Sequence, residues 1–281
     1  YAQALDAARC IGQALLDRGL SAERPVLIVS ENDLEHAQIA LGCLYAGIPW
    51  APASPAYSLV SQDFDKLRHL VNTLTPGLVY AADAPRYERA LLATLGEDVE
   101  IVTGSGSVPG RATTSFAALR ATAPTPAVDA AMQATGPDTI VKFANLQQIT
   151  LSMPVIAEAP PIFVDWLPWH HTFGGNHNVG LTLMHGGTLY IDDGKPTPAL
   201  IGETLRNLRE IAPTVYFNVP TGFEAIANAM KTDTVLRDTL LSRVRMFFYA
   251  GAALAQPVWD TLHAVQEQAI GERIVMGTGL G

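Results

Sequence analysis

Short apolar runs alternate along this chain with stretches of helical periodicity, and that alternation limits the possible folds more than any other feature. Pro25-Val26-Leu27-Ile28-Val29 is β-branched, apolar throughout and of strand length, as a parallel strand buried on both faces must be. Before it, Leu5, Ala8, Ile11, Leu15 and Leu16 recur at helical spacing and Gly19 closes the helix. After it the pattern predicts a helix over 33–45, capped by Ser30 or Asn32 and ended at Gly47. Ile48–Pro52, Gly77–Tyr80 and Val99–Val102 continue as strands, with helices over 65–74 and 87–95 between them. Further strands are expected at Thr139–Phe143, Pro161–Val164, Gly187–Ile191, Thr214–Val219 and Arg245–Tyr249. The Ala-, Pro- and Thr-rich segment 122–137 reads as a surface connection. Strands and helices in this order predict an α/β chain with doubly wound parallel sheets.

At 281 residues, 48% apolar and 16% charged, the chain has ample length and apolar content for a packed core. Its net charge of −9, with no basic cluster, argues against nucleic acid or an anionic membrane as partner. Cys10 and Cys43 fall on apolar helix faces and read as packed thiols rather than a disulfide, as in a reducing cytoplasm. No apolar run is long enough to span a bilayer, and no leader peptide is visible. The chain opens inside a helical pattern and closes on Gly277-Thr278-Gly279-Leu280-Gly281, so both ends read as interior points of a longer protein.

The segment most suggestive of chemistry is Leu167-Pro168-Trp169-His170-His171-Thr172-Phe173-Gly174-Gly175. It follows a buried-strand run, which puts polar rings and glycines at the carboxyl end of a sheet, where α/β proteins bind ligands. Three other patches stand in order around it. They are Ala46-Gly47-Ile48-Pro49 through Pro55-Ala56-Tyr57, Tyr249-Ala250-Gly251-Ala252-Ala253-Leu254, and the terminal Gly279-Leu280-Gly281. Together the four resemble the adenylate-forming superfamily of acyl-CoA ligases, luciferases and peptide-synthetase adenylation domains. Val164-Asp165-Trp166-Leu167-Pro168-Trp169, Asn176-His177-Asn178 and Asp192-Asp193-Gly194-Lys195-Pro196 most resemble feruloyl-CoA synthases, ligases of phenylpropanoid degradation.

That resemblance implies the amino-terminal domain of such an enzyme, built as two packed α/β subdomains. The first would span about 25–157; residues 1–24 would join 158–281 in the second. It implies ATP, Mg²⁺ and coenzyme A as co-substrates of an aromatic carboxylic acid; a homodimer is one assembly open to it, and the oligomeric state is not fixed by the sequence. His171 takes the place of the family's catalytic His. Phe173 and Gly174 would shape the acyl tunnel mouth, and Pro220 and Thr221 would line the acyl pocket. Gly251, Ala252 and Ala253 would lie along adenine, with Thr278, Gly279 and Leu280 flanking acid and adenine from the other side. The family's Mg²⁺-binding Glu and its carboxyl-terminal lid would fall beyond Gly281. Its Gly/Ser/Thr-rich phosphate loop would fall between Phe143 and Ala144, where the flanking residues match and the loop does not appear. The expectation is that the natural protein carries it.

Plainer readings stand beside these. His170, His171 and His177 could suggest zinc, but adjacent His residues rarely converge on one ion and the spacing fits no usual ligand set; no metal site is expected. His170 and His177 are read as satisfied polar residues, and Trp166 and Trp169 as core. Gly104-Ser105-Gly106-Ser107-Val108-Pro109-Gly110 imitates a dinucleotide loop, but with Pro109 inside it reads as a surface turn. The function expected is an acid–CoA ligase for a hydroxycinnamic acid. The alternatives are another acyl- or aryl-adenylating enzyme, such as a fatty-acid ligase or carrier-loading domain, or a non-catalytic nucleotide-binding relative without the phosphate loop.

Overall fold

The computed structural model describes residues 1–136 and 149–279. The chain divides into two compact units, Tyr1–Val141 and Lys142–Gly281. In the first, β1 (Val26–Ile28), β2 (Trp50–Pro52), β3 (Leu78–Asp83), β4 (Glu100–Ser105) and β5 (Thr113–Ser115) form one sheet in the order β2-β1-β3-β4-β5. All four pairings are parallel. Alternate strand residues feed opposite faces, as the pleat requires. Val26, Ile28, Leu78 and Tyr80 meet α1 (Ala2–Asp17), α2 (Leu34–Ala46), α6 (Phe116–Arg120) and α7 (Pro126–Ala134). Leu27, Val29, Val79 and Ala81 meet α4 (Asp65–Leu74) and α5 (Ala84–Thr94), while the short α3 (Ala56–Leu59) leans on α5. This is the doubly wound arrangement that the strand–helix alternation predicts.

Several boundaries differ from expectation. The cap of α2 is Asp33, whose carboxylate accepts from His36 N–H at 2.7 Å, rather than Ser30 or Asn32. The segment 122–137 is not a bare connection. Thr125 caps α7, Pro126 occupies its first turn, and only Val128 of that helix is buried. Residues 1–24 do not join the second unit: α1 packs on α2, α6 and α7 of the first. The reason is steric as well as apolar. Gly12 and Gly42 let the two helices approach closely, and a Cβ at Gly42 would stand 2.5 Å from Ile11 Cγ2. Gly42→Val should therefore lower stability by about 1–3 kcal/mol through overpacking. A reduced urea midpoint at unchanged slope would show it. Cys10 and Cys43 are buried and unbridged, and burial pushes the Cys43 thiol well up.

The second unit carries two parallel sheets. One pairs β6 (Ile162–Asp165) with β7 (Thr188–Ile191). The other runs β10-β9-β8, from Val275–Gly279, Met246–Ala250 and Val215–Asn218. Thr214 N–H donates to Ile162 C=O at 3.1 Å, so β6 and β8 start side by side. Tyr216 and Phe247 face the core under α9 (Ile201–Glu210), α10 (Pro220–Met230), α11 (Thr234–Leu241) and α12 (Gln256–Ile270). Val215, Phe217, Met246 and Phe248 face the other way, toward Phe163, Leu167, Phe173 and Leu181, the last on α8 (Gly180–Met184). The expected strand at Thr139–Phe143 lies outside the described residues.

Candidate active site at the strand tips of the second unit

The register sets the site. Asn218, Tyr249 and Thr278 stand level across β8, β9 and β10, as do Ala250 and Gly279. The residues that follow each strand therefore leave the sheet along one edge. They are Pro220 and Thr221 at the first turn of α10, and the exposed Gly251, Ala252 and Ala253 after β9. Gly251 has φ of 91°, a left-handed conformation that favours glycine. Gly279 serves a close approach: a Cβ there would stand 2.9 Å from Phe248 Cζ. Leu280 lies outside the described residues.

The His171 segment reaches this edge from β6. After a turn at Trp169 and His170 the chain winds into a π-helix, Thr172–Val179. His171 is its N-cap, with Nδ1 accepting from Phe173 N–H at 3.2 Å, and the side chain is exposed. Gly174 and Gly175 are required by crowding, because a Cβ on either would strike the carbonyl oxygens of residues 167–169. Such wide turns are uncommon and gather at functional sites. Phe173 is buried and anchors the segment, stacking on Phe217 of β8 at 6.5 Å and meeting Phe248 of β9 edge-on at 5.8 Å. Phe173 thus holds the segment against β8 and β9, and Phe248 also lies close to Gly279; no described contact joins His171 or Gly174 to these strands. Thr221 and Thr278 are exposed, and their side chains make no described hydrogen bond to that cluster.

Sequence reasoning passed over a layer of buried polar groups behind the segment. Asp165, at the end of β6, is fully enclosed; its Oδ1 accepts from Leu167 N–H at 3.1 Å and its Oδ2 has no partner. Burial above all, with a smaller push from Asp192, raises its carboxyl to about 7. Asp192 is also buried but well supplied, accepting from Gly194 N–H at 2.8 Å, Thr204 Oγ1 at 2.6 Å and Asn207 Nδ2 at 2.9 Å. Asn218 Nδ2 donates to the buried Tyr216 hydroxyl at 2.9 Å, and burial with the two nearby carboxylates drives that phenol upward. An Asp at the end of an apolar strand run was the visible signal. Burial lowers both His170 and His177, with His171 and Lys195 adding to the effect on His170. Trp169 is buried and Trp166 packs on the adjoining core. In the first unit, the Gly104–Gly110 stretch leads into β5 and not into a helix, as a surface turn would.

Among the described residues no group of three or more His, Cys, Asp or Glu side chains could hold a metal ion, and no helix is long and apolar enough to cross a membrane. The phosphate-loop junction at Phe143–Ala144 lies outside the described residues.

Comparisons with known proteins bear on this arrangement. No curated protein sequence matches the chain significantly. Solved structures do. A benzoate CoA ligase from Burkholderia xenovorans LB400 superposes with a TM-score of 0.75 at 21% identity, over 99% of this chain and 55% of its own. ATP-bound MatB from Rhodopseudomonas palustris gives 0.72 at 20% identity, over 100% and 54%. The luciferase-like enzyme of the nonluminescent mealworm Zophobas morio gives 0.73 at 15%, over 100% and 65%. At these identities the likeness speaks for the fold, and the chain spans a little over half the length of the first two. The AMP-binding enzyme family model matches residues 1–280. The chain therefore belongs to the AMP-binding enzyme family, the superfamily of acyl-CoA ligases and luciferases.

Proposed function

We propose that this chain is the amino-terminal part of an ATP-dependent acid–CoA ligase that activates a hydroxycinnamic acid of the ferulic type. A carboxylate is a poor electrophile. Its attack on the α-phosphorus of ATP releases pyrophosphate and leaves an acyl-adenylate, from which the coenzyme A thiol displaces AMP. The protein must hold two anions together and meet the charge that develops between them. In this reading His171, exposed at the start of the π-helix, orients the carboxylate or the α-phosphate through Nε2, since Nδ1 is engaged by Phe173 N–H. Gly251, Ala252 and Ala253 let the adenine lie against backbone, with Thr278, Gly279 and Leu280 opposite. Phe173, Gly174, Pro220 and Thr221 border the acyl chain. Mg²⁺ arriving with the nucleotide would neutralise charge on its phosphates.

The observation that carries the reading is the packing of Phe173 on Phe217 and Phe248, because it ties the His-bearing segment to the tips of β8 and β9. The benzoate CoA ligase likeness supports an aromatic acid, and equally supports a second reading in which another aryl acid is the substrate. ATP–pyrophosphate exchange by the full-length protein with cinnamic, benzoic and fatty acids should show turnover with hydroxycinnamic acids above the others. Preference for a fatty acid would remove the aromatic assignment. His171→Ala should depress exchange by about 10²-fold or more while nucleotide binding changes little. Equal losses in both would take His171 out of the site.

A further inference from the structure

His177 sits in an aromatic cluster. Its ring lies among three phenylalanines: stacked on Phe248 at 5.5 Å, tilted against Phe217 at 5.3 Å and edge-on to Phe173 at 5.6 Å. Its Nδ1 meets Asn178 Oδ1 at 3.2 Å. Asn178 is fully buried, and its Nδ2 has no partner within hydrogen-bond geometry. The neighbour of that amide is Asp165, whose Oδ2 is likewise unpartnered. The chemistry of the three groups settles their orientation. Above about pH 8, where Asp165 is ionised, its carboxylate only accepts and an amide nitrogen only donates, so Nδ2 belongs toward Asp165 and Oδ1 toward His177. An amide oxygen facing Nδ1 requires the imidazole proton at that nitrogen, which leaves Nε2 as an acceptor. No described residue donates to Nε2.

His177 is only partly buried, unlike the three phenylalanines around it, and an imidazole acceptor at the edge of such a cluster suits a flat acid that carries a donor on its ring. We propose that His177 Nε2 accepts a hydrogen bond from a ring hydroxyl of the acid, and that Asp165 keeps it an acceptor by holding the Asn178 amide. The inference rests on the aromatic-acid ligase reading and deepens it. His177 is then a specificity residue, while Asp165 and Asn178 are positioning residues. Burial holds the imidazole below its usual range, which keeps it uncharged.

The test uses the full-length protein and ATP–pyrophosphate exchange with cinnamic acid and its 2-, 3- and 4-hydroxy derivatives. His177→Phe keeps a flat ring and removes the acceptor. It should lower kcat/KM for the favoured hydroxylated acid by about tenfold or more and leave cinnamic acid within about twofold. Asp165→Asn gives a readout that a merely structural role would not move. The Leu167 N–H holds the oxygen of the new side chain, so its amide nitrogen would face Asn178. Asn178 would then turn over, and the His177 proton would pass to Nε2. Nitrogen NMR above about pH 8, where Asp165 is ionised, should find that proton on Nδ1 in the wild type and on Nε2 in the variant. A loss shared equally by all acids in His177→Phe, or a wild-type proton on Nε2, overturns the proposal. Failure of the wild type to activate any of these acids is a separate result, which removes the ligase reading and the hydroxyl contact with it.

Discussion

Phe217→Ala should cost the second unit about 3–5 kcal/mol, the scale of emptying an enclosed aromatic site. Phe217 is 2% exposed. Its ring meets Phe163 at 5.3 Å, Phe173 at 6.5 Å, His177 at 5.3 Å and Phe248 at 5.2 Å. Aromatic pairs of this kind add about 0.5–1.5 kcal/mol each beyond simple burial, so the loss belongs at the upper end of that range. It should be accompanied by weaker adenylation, because Phe173 ties the His171 segment to β8 and β9. Urea unfolding followed by tryptophan fluorescence would measure the effect, with Trp166 and Trp169 reporting on this unit. A change below about 1 kcal/mol would mean that the four rings are not a shared core.

The second large effect concerns pH. Asp165 titrates near 7 in the folded chain, about three pH units above an exposed aspartate. Between those two values the folded state holds a proton that the unfolded state has released. Stability is therefore present in full below about pH 4, falls as pH rises, and levels off above about 8. A tenfold difference in proton affinity corresponds to about 1.4 kcal/mol, so the loss across that window is at most about 4 kcal/mol. Asp165→Asn removes the titration. The stability of the variant minus that of the wild type should rise by that amount from about pH 4 to about pH 8. A flat difference would show that Asp165 stays ionised throughout.

Much of the fold could be read from residues because burial on both faces leaves a plain mark: Val26–Ile28, residues 215–217 and Met246–Ala250 are apolar or aromatic runs. What escaped had weak local signals. Helix α7 buries only Val128, so no apolar stripe announces it, although Thr125-Pro126 is a sound helix start. The three-residue β5, Thr-Thr-Ser, is an edge strand with nothing to bury. Placing α1 in the second unit followed family likeness, whereas the Gly12 and Gly42 contact decides for the first. In the site, His171 and Phe173 were visible as types at the end of a strand. The nearness of Asn178 to Asp165 was not, because the two lie thirteen positions apart and only the fold brings them together.

That winding is also a record of length. An α-helix advances about 100° per residue, and a π coil accommodates one residue more within the same span. Deleting a single residue between Thr172 and Val179 would let the segment tighten into ordinary helical pitch. The side chains inside the segment would then change phase, and Phe173 would lose its seat on Phe217 and Phe248. This stretch should therefore be as intolerant of a change in the number of its residues as of a Cβ at Gly174 or Gly175.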